Sequence, residues 1–206
     1  MLRIYGFPTQ NTKKVLYVAE ELNTDYEFVL VDLASGEQKK EEFSQKTPVG
    51  KVPLLQHDDR YLFESGAISC YLAELVDSPL YPKDKYERAV VHQWMDFFNI
   101  HLGRWFNSLY FNKVLRAQFA LGEPDPKEVD EAIKFANQQC EIVDKHLGNN
   151  EYLTGSRLTI VDIFANASVE QSSVTDFSLD TYPNLKSWME KTSKRDCIER
   201  ALKRLE

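Results

Sequence analysis

Three short stretches of this chain hold groups suited to a thiol or a small anion. In Pro8-Thr9-Gln10-Asn11-Thr12-Lys13-Lys14-Val15, hydroxyl and amide side chains fall where an apolar run gives way to a helical pattern. A thiolate at a helix start is stabilised by the helix dipole and by donated hydrogen bonds, which lower its pKa. Thr and Asn are also good helix caps, so local structure accounts for the pattern equally well. In Glu64-Ser65-Gly66-Ala67-Ile68, Ser65 is placed to cap a helix. The unpaired N–H groups of such an end suit a carboxylate, and Glu64 beside it can accept from an ammonium. In Thr47-Pro48-Val49-Gly50-Lys51-Val52-Pro53 a proline opens an apolar run, where it removes a ladder donor. An ordinary trans proline at a strand edge is one reading. A cis Val52–Pro53 bond would instead turn the Val52 N–H and C=O outward to pair with an extended ligand. A fourth stretch, Gly36-Glu37-Gln38-Lys39-Lys40, puts lysines on a polar connection, where a basic run is ordinarily solvated.

Leu2 to Tyr5 reads as a strand stopped by Gly6-Phe7-Pro8. From Asn11 onward, Val15, Val18, Ala19 and Leu22 recur with the period of an amphipathic helix. Phe28 to Val31 is a continuous apolar run, as in a strand buried on both faces. Val52 to Leu55 and Tyr61 to Phe63, separated by His57-Asp58-Asp59-Arg60, form a hairpin signature, and the helix after Ser65 carries Ile68, Leu72 and Leu75. The order βαβ then ββα predicts a thioredoxin-like α/β domain with a mixed four-stranded sheet over residues 1–77. Residues 78–85, with Pro79 and Pro82, read as a linker, and 86–206 as an all-helical domain. One or two long helices run through Val90, Trp94, Phe98, Leu102, Phe106 and Leu109, Pro126 opens the next, and two more lie near 160–172 and 184–203.

The 206 residues suffice for a real apolar core. A formal net charge of -7 argues against a nucleic-acid partner, although a local anion site needs only one or two cations. No run approaches the ~20 apolar residues of a membrane span, and MLRIYGFPTQ lacks a secretory pattern. Cys70, Cys140 and Cys197 are odd in number and widely spaced, so neither a disulfide framework nor a metal site is expected, and a reduced, cytoplasmic protein is.

Taken in this order and spacing, the stretches resemble the soluble glutathione transferases over essentially the whole chain. TPVGKVP is similar to that family's cis-proline loop, ESGAI to its serine-capped helix, and Leu158-Thr159-Ile160-Val161-Asp162-Ile163 to its capping box. The resemblance implies glutathione as co-substrate, no metal, a small hydrophobic electrophile or a disulfide as second partner, and a homodimer. It implies that Val52, before Pro53, pairs with the cysteinyl backbone and that Glu64 and Ser65 hold the γ-glutamyl end. Gln38, Lys39 and Lys51 would meet the glycyl carboxylate. No cysteine lies near the first helix, which argues against the thiol mechanism of the omega and beta types. PTQNTKKV is most similar to the nu-type and yeast prion-related members, where TPN replaces the serine region. That match implies Thr9 and Asn11 as sulfur donors, with Tyr5 the competing activator, and Gln10 stands where those relatives have proline. Trp105 and Tyr110 are candidates for the second-substrate pocket. Many relatives carry a carboxylate near position 92; this chain has His92, with Asp96 one turn on. Three functions stay open: thioether conjugation, glutathione-dependent disulfide or peroxide reduction, and a non-catalytic binding or regulatory role on the same fold.

Overall fold

The computed structural model describes residues 1–206. Strand β1 (Leu2–Gly6) leads into helix α1 (Gln10–Glu21), then β2 (Glu27–Leu30). A 3-10 turn (Glu37–Lys39) and the short α2 (Glu41–Ser44) precede the hairpin of β3 (Leu54–His57) and β4 (Arg60–Phe63), and α3 (Ser65–Leu75) follows. The sheet order is β2-β1-β3-β4, with β1 and β2 parallel and the other pairs antiparallel, the mixed sheet the sequence predicts. Ile4, Val15, Val18, Leu55, Ile68 and Leu72 are all fully or almost fully buried. The apolar stripe of α1 is thus covered, and α3 and α10 (Asp196–Lys203) pack against that helix.

Register decides what this sheet presents. Gly6 pairs with Leu30, Tyr5 with Leu54 and Leu54 with Phe63. The segments after β1, after β2, before β3 and after β4 therefore all leave the sheet at one end. These are the four stretches the sequence singled out. Gly6 allows the close approach: a Cβ there would lie 2.4 Å from Thr12 Cγ2 and 2.9 Å from the Phe28 ring.

Contacts divide the chain into two compact units, Met1–Tyr81 with Arg195–Glu206, and Pro82–Lys194. The sequence reading assigned Arg195–Glu206 to the helical domain. The structure puts them with the sheet, because α10 docks on α1, a partnership no local pattern announces.

In the second unit, α4 (Lys85–Asp96), α5 (Gly103–Tyr110) and α6 (Arg116–Gln118) form one helical run, widened into π-turns at Phe97–Leu102 and Phe111–Leu115. Gly103 sits where the first wide turn closes, and a Cβ there would meet the Phe98 carbonyl oxygen at 2.1 Å. Helix α7 (Pro126–Leu147) begins at Pro126, capped by Asp125, which accepts from Lys127 N at 2.9 Å. Helices α8 (Ile160–Val169) and α9 (Pro183–Ser193) complete the unit.

Candidate functional site

Thr9 is the N-cap of α1, its Oγ1 accepting from Thr12 N at 3.4 Å and donating to Thr12 Oγ1 at 3.3 Å. Gln10 takes the first helical position, where a proline is also readily accommodated. Asn11 is exposed on that first turn. Its Oδ1 accepts from Lys14 Nζ at 3.1 Å.

Lys14 is the functional candidate that the sequence reading missed. Its side chain is 1% exposed, and burial drives its ammonium down to about 7, opposed by the negative charge of Glu64. A signal was available: Lys14 falls on the buried stripe, beside Val15 and one turn before Val18.

The cap of α3 falls one residue earlier than the sequence predicts. Glu64, not Ser65, occupies the cap position of α3, and its C=O accepts the first helical bond from Ile68 N at 2.9 Å. No side-chain cap is made, and Ser65, buried, is the first helical residue. Glu64 reaches the cap with φ 72°, ψ 117°, a region costly for a residue with a Cβ, which exposes its carboxylate at the helix start.

The Val52–Pro53 bond is cis. The β1–β3 ladder begins at Leu54, so neither the Val52 N–H nor its C=O takes part in it. Beside it, Gly50 lies close to the Gln38 carbonyl, 3.5 Å from where its Cβ would be. The loop before β3 thus abuts the 3-10 turn. On that turn Lys39 is exposed and Gln38 has Oε1 buried without a partner, while Lys51 is exposed on the facing loop. The Asp32 and Glu37 carboxylates hold the connection from β2, accepting from Ala34 N and Asp32 N at 2.9 and 2.8 Å.

Tyr5 is built into the sheet's own core. Its hydroxyl donates to Gln56 Oε1 at 2.7 Å, its ring meets Phe43 edge-on, and Val31 and Leu54 complete the cluster. In the second unit, Trp105 stacks on Phe135 at 4.6 Å between centroids, and the Arg104 guanidinium lies over the Trp105 ring, 4.8 Å from its centroid. Tyr110 is half-buried at the end of α5. No group of three or more His, Cys, Asp or Glu side chains is placed to hold a metal ion.

Family models for the glutathione S-transferase N-terminal and C-terminal domains match residues 1–74 and 97–196. The chain belongs to the glutathione S-transferase family. It is 32% identical over 194 residues to glutathione S-transferase hmp2 of Hypomyces subiculosus, covering 91% of each chain. Among solved structures it resembles glutathione S-transferase-I bound with lactoylglutathione, at 28% identity and TM-score 0.90, covering 98% of this chain and 99% of that one. It also resembles a glutathione transferase family member from Pseudomonas fluorescens with two glutathione bound, at 28% identity and TM-score 0.84, covering 98% and 92%. No helix is long and apolar enough to cross a membrane.

Proposed function

We propose that this transferase binds glutathione at the common end of its sheet and activates the thiol for attack on small hydrophobic electrophiles. The observation that carries the reading is the convergence there of two helix starts and a lysine-bearing loop, with an exposed amide on one helix and an exposed carboxylate on the other. That set matches a tripeptide with two carboxylates, one ammonium and a central thiol. Ser65 and the first N–H groups of α3 would take the γ-glutamyl carboxylate, and Glu64 the ammonium. Val52 would pair with the cysteinyl backbone, and Gln38, Lys39 and Lys51 would meet the glycyl carboxylate. Two structural neighbours carry glutathione or a glutathione derivative, which supports the same ligand here.

A cysteine-type thiol has a pKa of about 8.5, so little is ionised at neutral pH, and each unit of lowering corresponds to ~1.4 kcal/mol. Asn11 and the start of α1 supply donors for that lowering, and Thr9 would join them by turning its hydroxyl from Thr12 to the sulfur. The thiolate then attacks an electrophilic carbon, forming the C–S bond as the leaving group departs. Trp105 and Tyr110 offer aromatic surface for the acceptor. We place the protein in the cytoplasm as a homodimer, in keeping with its reduced cysteines and its family.

One observation favours a second reading. The Thr9-Gln10-Asn11 turn is most similar to the nu type, where the thiolate would attack a disulfide or peroxide instead. Calorimetry with millimolar glutathione tests the shared premise, and absence of binding would leave only a non-catalytic role. Assays with a chloronitrobenzene and with hydroxyethyl disulfide then separate conjugation from reduction.

A further inference from the structure

Lys14 is the only lysine or arginine buried in the protein. Burying an ammonium is costly unless hydrogen bonds and opposite charge compensate it, and a leucine or methionine would fill that place on α1 without the cost. What distinguishes the lysine is its reach. From the second turn of α1, Nζ donates to Asn11 Oδ1 at 3.1 Å, while Glu64 at the start of α3 supplies the opposing charge that acts on it. The buried lysine is therefore tied to the start of α1 by a hydrogen bond and feels the charge at the start of α3.

The direction of that bond matters. With Lys14 protonated, the state an ionised sulfur nearby favours, its amine only donates, so the Asn11 atom it meets is the amide oxygen. Holding Oδ1 inward leaves Nδ2, with its two hydrogens, as the end of Asn11 that can donate outward, and Asn11 is exposed. We infer that Lys14 is a positioning residue: by holding Asn11 Oδ1 from beneath, it aims the Asn11 amide N–H groups at the sulfur of bound glutathione. The inference rests on the glutathione reading above and adds a source for the orientation of its thiol donor. Burial lowers the Lys14 ammonium to about 7, and a thiolate nearby would favour its charged form, so ligand ionisation and lysine protonation support each other.

The test follows the ultraviolet thiolate band of bound glutathione at neutral pH, together with affinity and kcat. Lys14→Met fills the same buried space and removes the donor. It should bind glutathione within about threefold of the wild-type protein, while the thiolate fraction and kcat each fall about tenfold. Lys14→Gln, which keeps a neutral donor, should recover part of that loss. In an Asn11→Ala background either Lys14 substitution should cause no further loss, since the lysine acts through the amide. Should Lys14→Met fail to fold, the cycle between Lys14→Gln and Asn11→Ala gives the same answer. Unchanged ionisation and kcat in the Lys14 variants, or losses that multiply in the double variant, would overturn the inference. A wild-type protein that binds no glutathione would overturn the functional reading along with it. One that binds and ionises glutathione, beside Lys14 variants that do the same, overturns this inference alone.

Discussion

Tyr5, Thr9 and Asn11 differ in what already occupies their polar atoms. The Tyr5 hydroxyl is held by Gln56 within an apolar cluster, and the Thr9 hydroxyl is engaged with Thr12 as the cap of α1. Asn11 is exposed, with its oxygen engaged by Lys14. Asn11→Ala should therefore cut kcat/KM by about tenfold, the worth of one charge-assisted hydrogen bond to the thiolate, and cost about 1 kcal/mol of stability through the acceptor lost to buried Lys14. Tyr5→Phe should leave the rate within about twofold, because the lost bond is to Gln56 rather than to substrate. Steady-state kinetics beside thermal unfolding checks both, and the reverse order of effects would return the role to Tyr5. Glu64 allows a different separation. Its positive φ costs about 1 kcal/mol. Replacement by glycine relieves that strain but restores about 0.5–1 kcal/mol of unfolded-state entropy. The two nearly cancel, so Glu64→Gly should lose only the small stability that its charge lends buried Lys14, while binding glutathione distinctly more weakly. A fall in stability to match the fall in affinity would deny Glu64 a ligand role.

At the scale of elements, the same contrast between local and distant partners decides what the sequence reveals. The capping box of α8 is local and was legible: Thr159 N donates to Asp162 Oδ2 at 3.0 Å. Its wider use was not, since Asp162 Oδ1 also accepts from Leu153 N at 2.9 Å and from Trp188 Nε1 of α9 at 3.0 Å. Burial pushes the Asp162 carboxyl upward and these donations oppose it. Asp162→Ala would strand three buried N–H groups at about 1–3 kcal/mol each, and relaxation should bring the total to about 4 kcal/mol. Denaturant unfolding measures this, and a loss below about 1 kcal/mol would mean that water replaces the acceptor. All four strands were legible because apolar runs and turn residues are local, down to Asp58 in the left-handed turn of the hairpin. Strand β2, expected to be buried on both faces, is instead an edge strand with Leu30 56% exposed. The cap of α3 was placed one residue late because serine is the better intrinsic cap, and the unusual backbone of Glu64 leaves no mark in composition. The π-turns were invisible because one extra residue per turn barely disturbs an apolar period. Lys14 is hard to single out because lysine is ordinarily exposed, although its place on the stripe of α1 is plain.

At the scale of the whole molecule, the chain leaves its first unit after Tyr81 and returns to it at Arg195. Helix α1, on which the proposed thiol donors lie, therefore depends on the last residues of the chain, which no reading in sequence order would join to it. Arg195 pairs with Glu21, while Arg200 and Arg204 each donate to Glu20 at 3.1 Å, and Tyr26 donates to the same carboxylate at 2.8 Å. Burial pushes the Glu20 carboxyl up, but the hydrogen bonds from Tyr26, Arg200 and Arg204 together outweigh it and hold the group below its usual 4.5. A carboxyl whose folded pKa is depressed contributes stability that is present above its unfolded value and lost as the pH falls through its folded value. Glu20→Gln should remove that contribution at neutral pH. The carboxylate is only 8% exposed, yet its arginine partners are 42% and 49% exposed. Solvent screening on their side keeps the expected loss to about 2 kcal/mol, below the ~3–5 kcal/mol of a fully buried pair. The difference between wild type and Glu20→Gln should then shrink below the usual carboxylate range, as the wild-type group itself takes up a proton. Urea unfolding at neutral pH and at about pH 3 distinguishes this from a packing effect, since only the charge interaction titrates in that window. A gap that stays constant across it would mean that Glu20 joins α1 to α10 by shape alone.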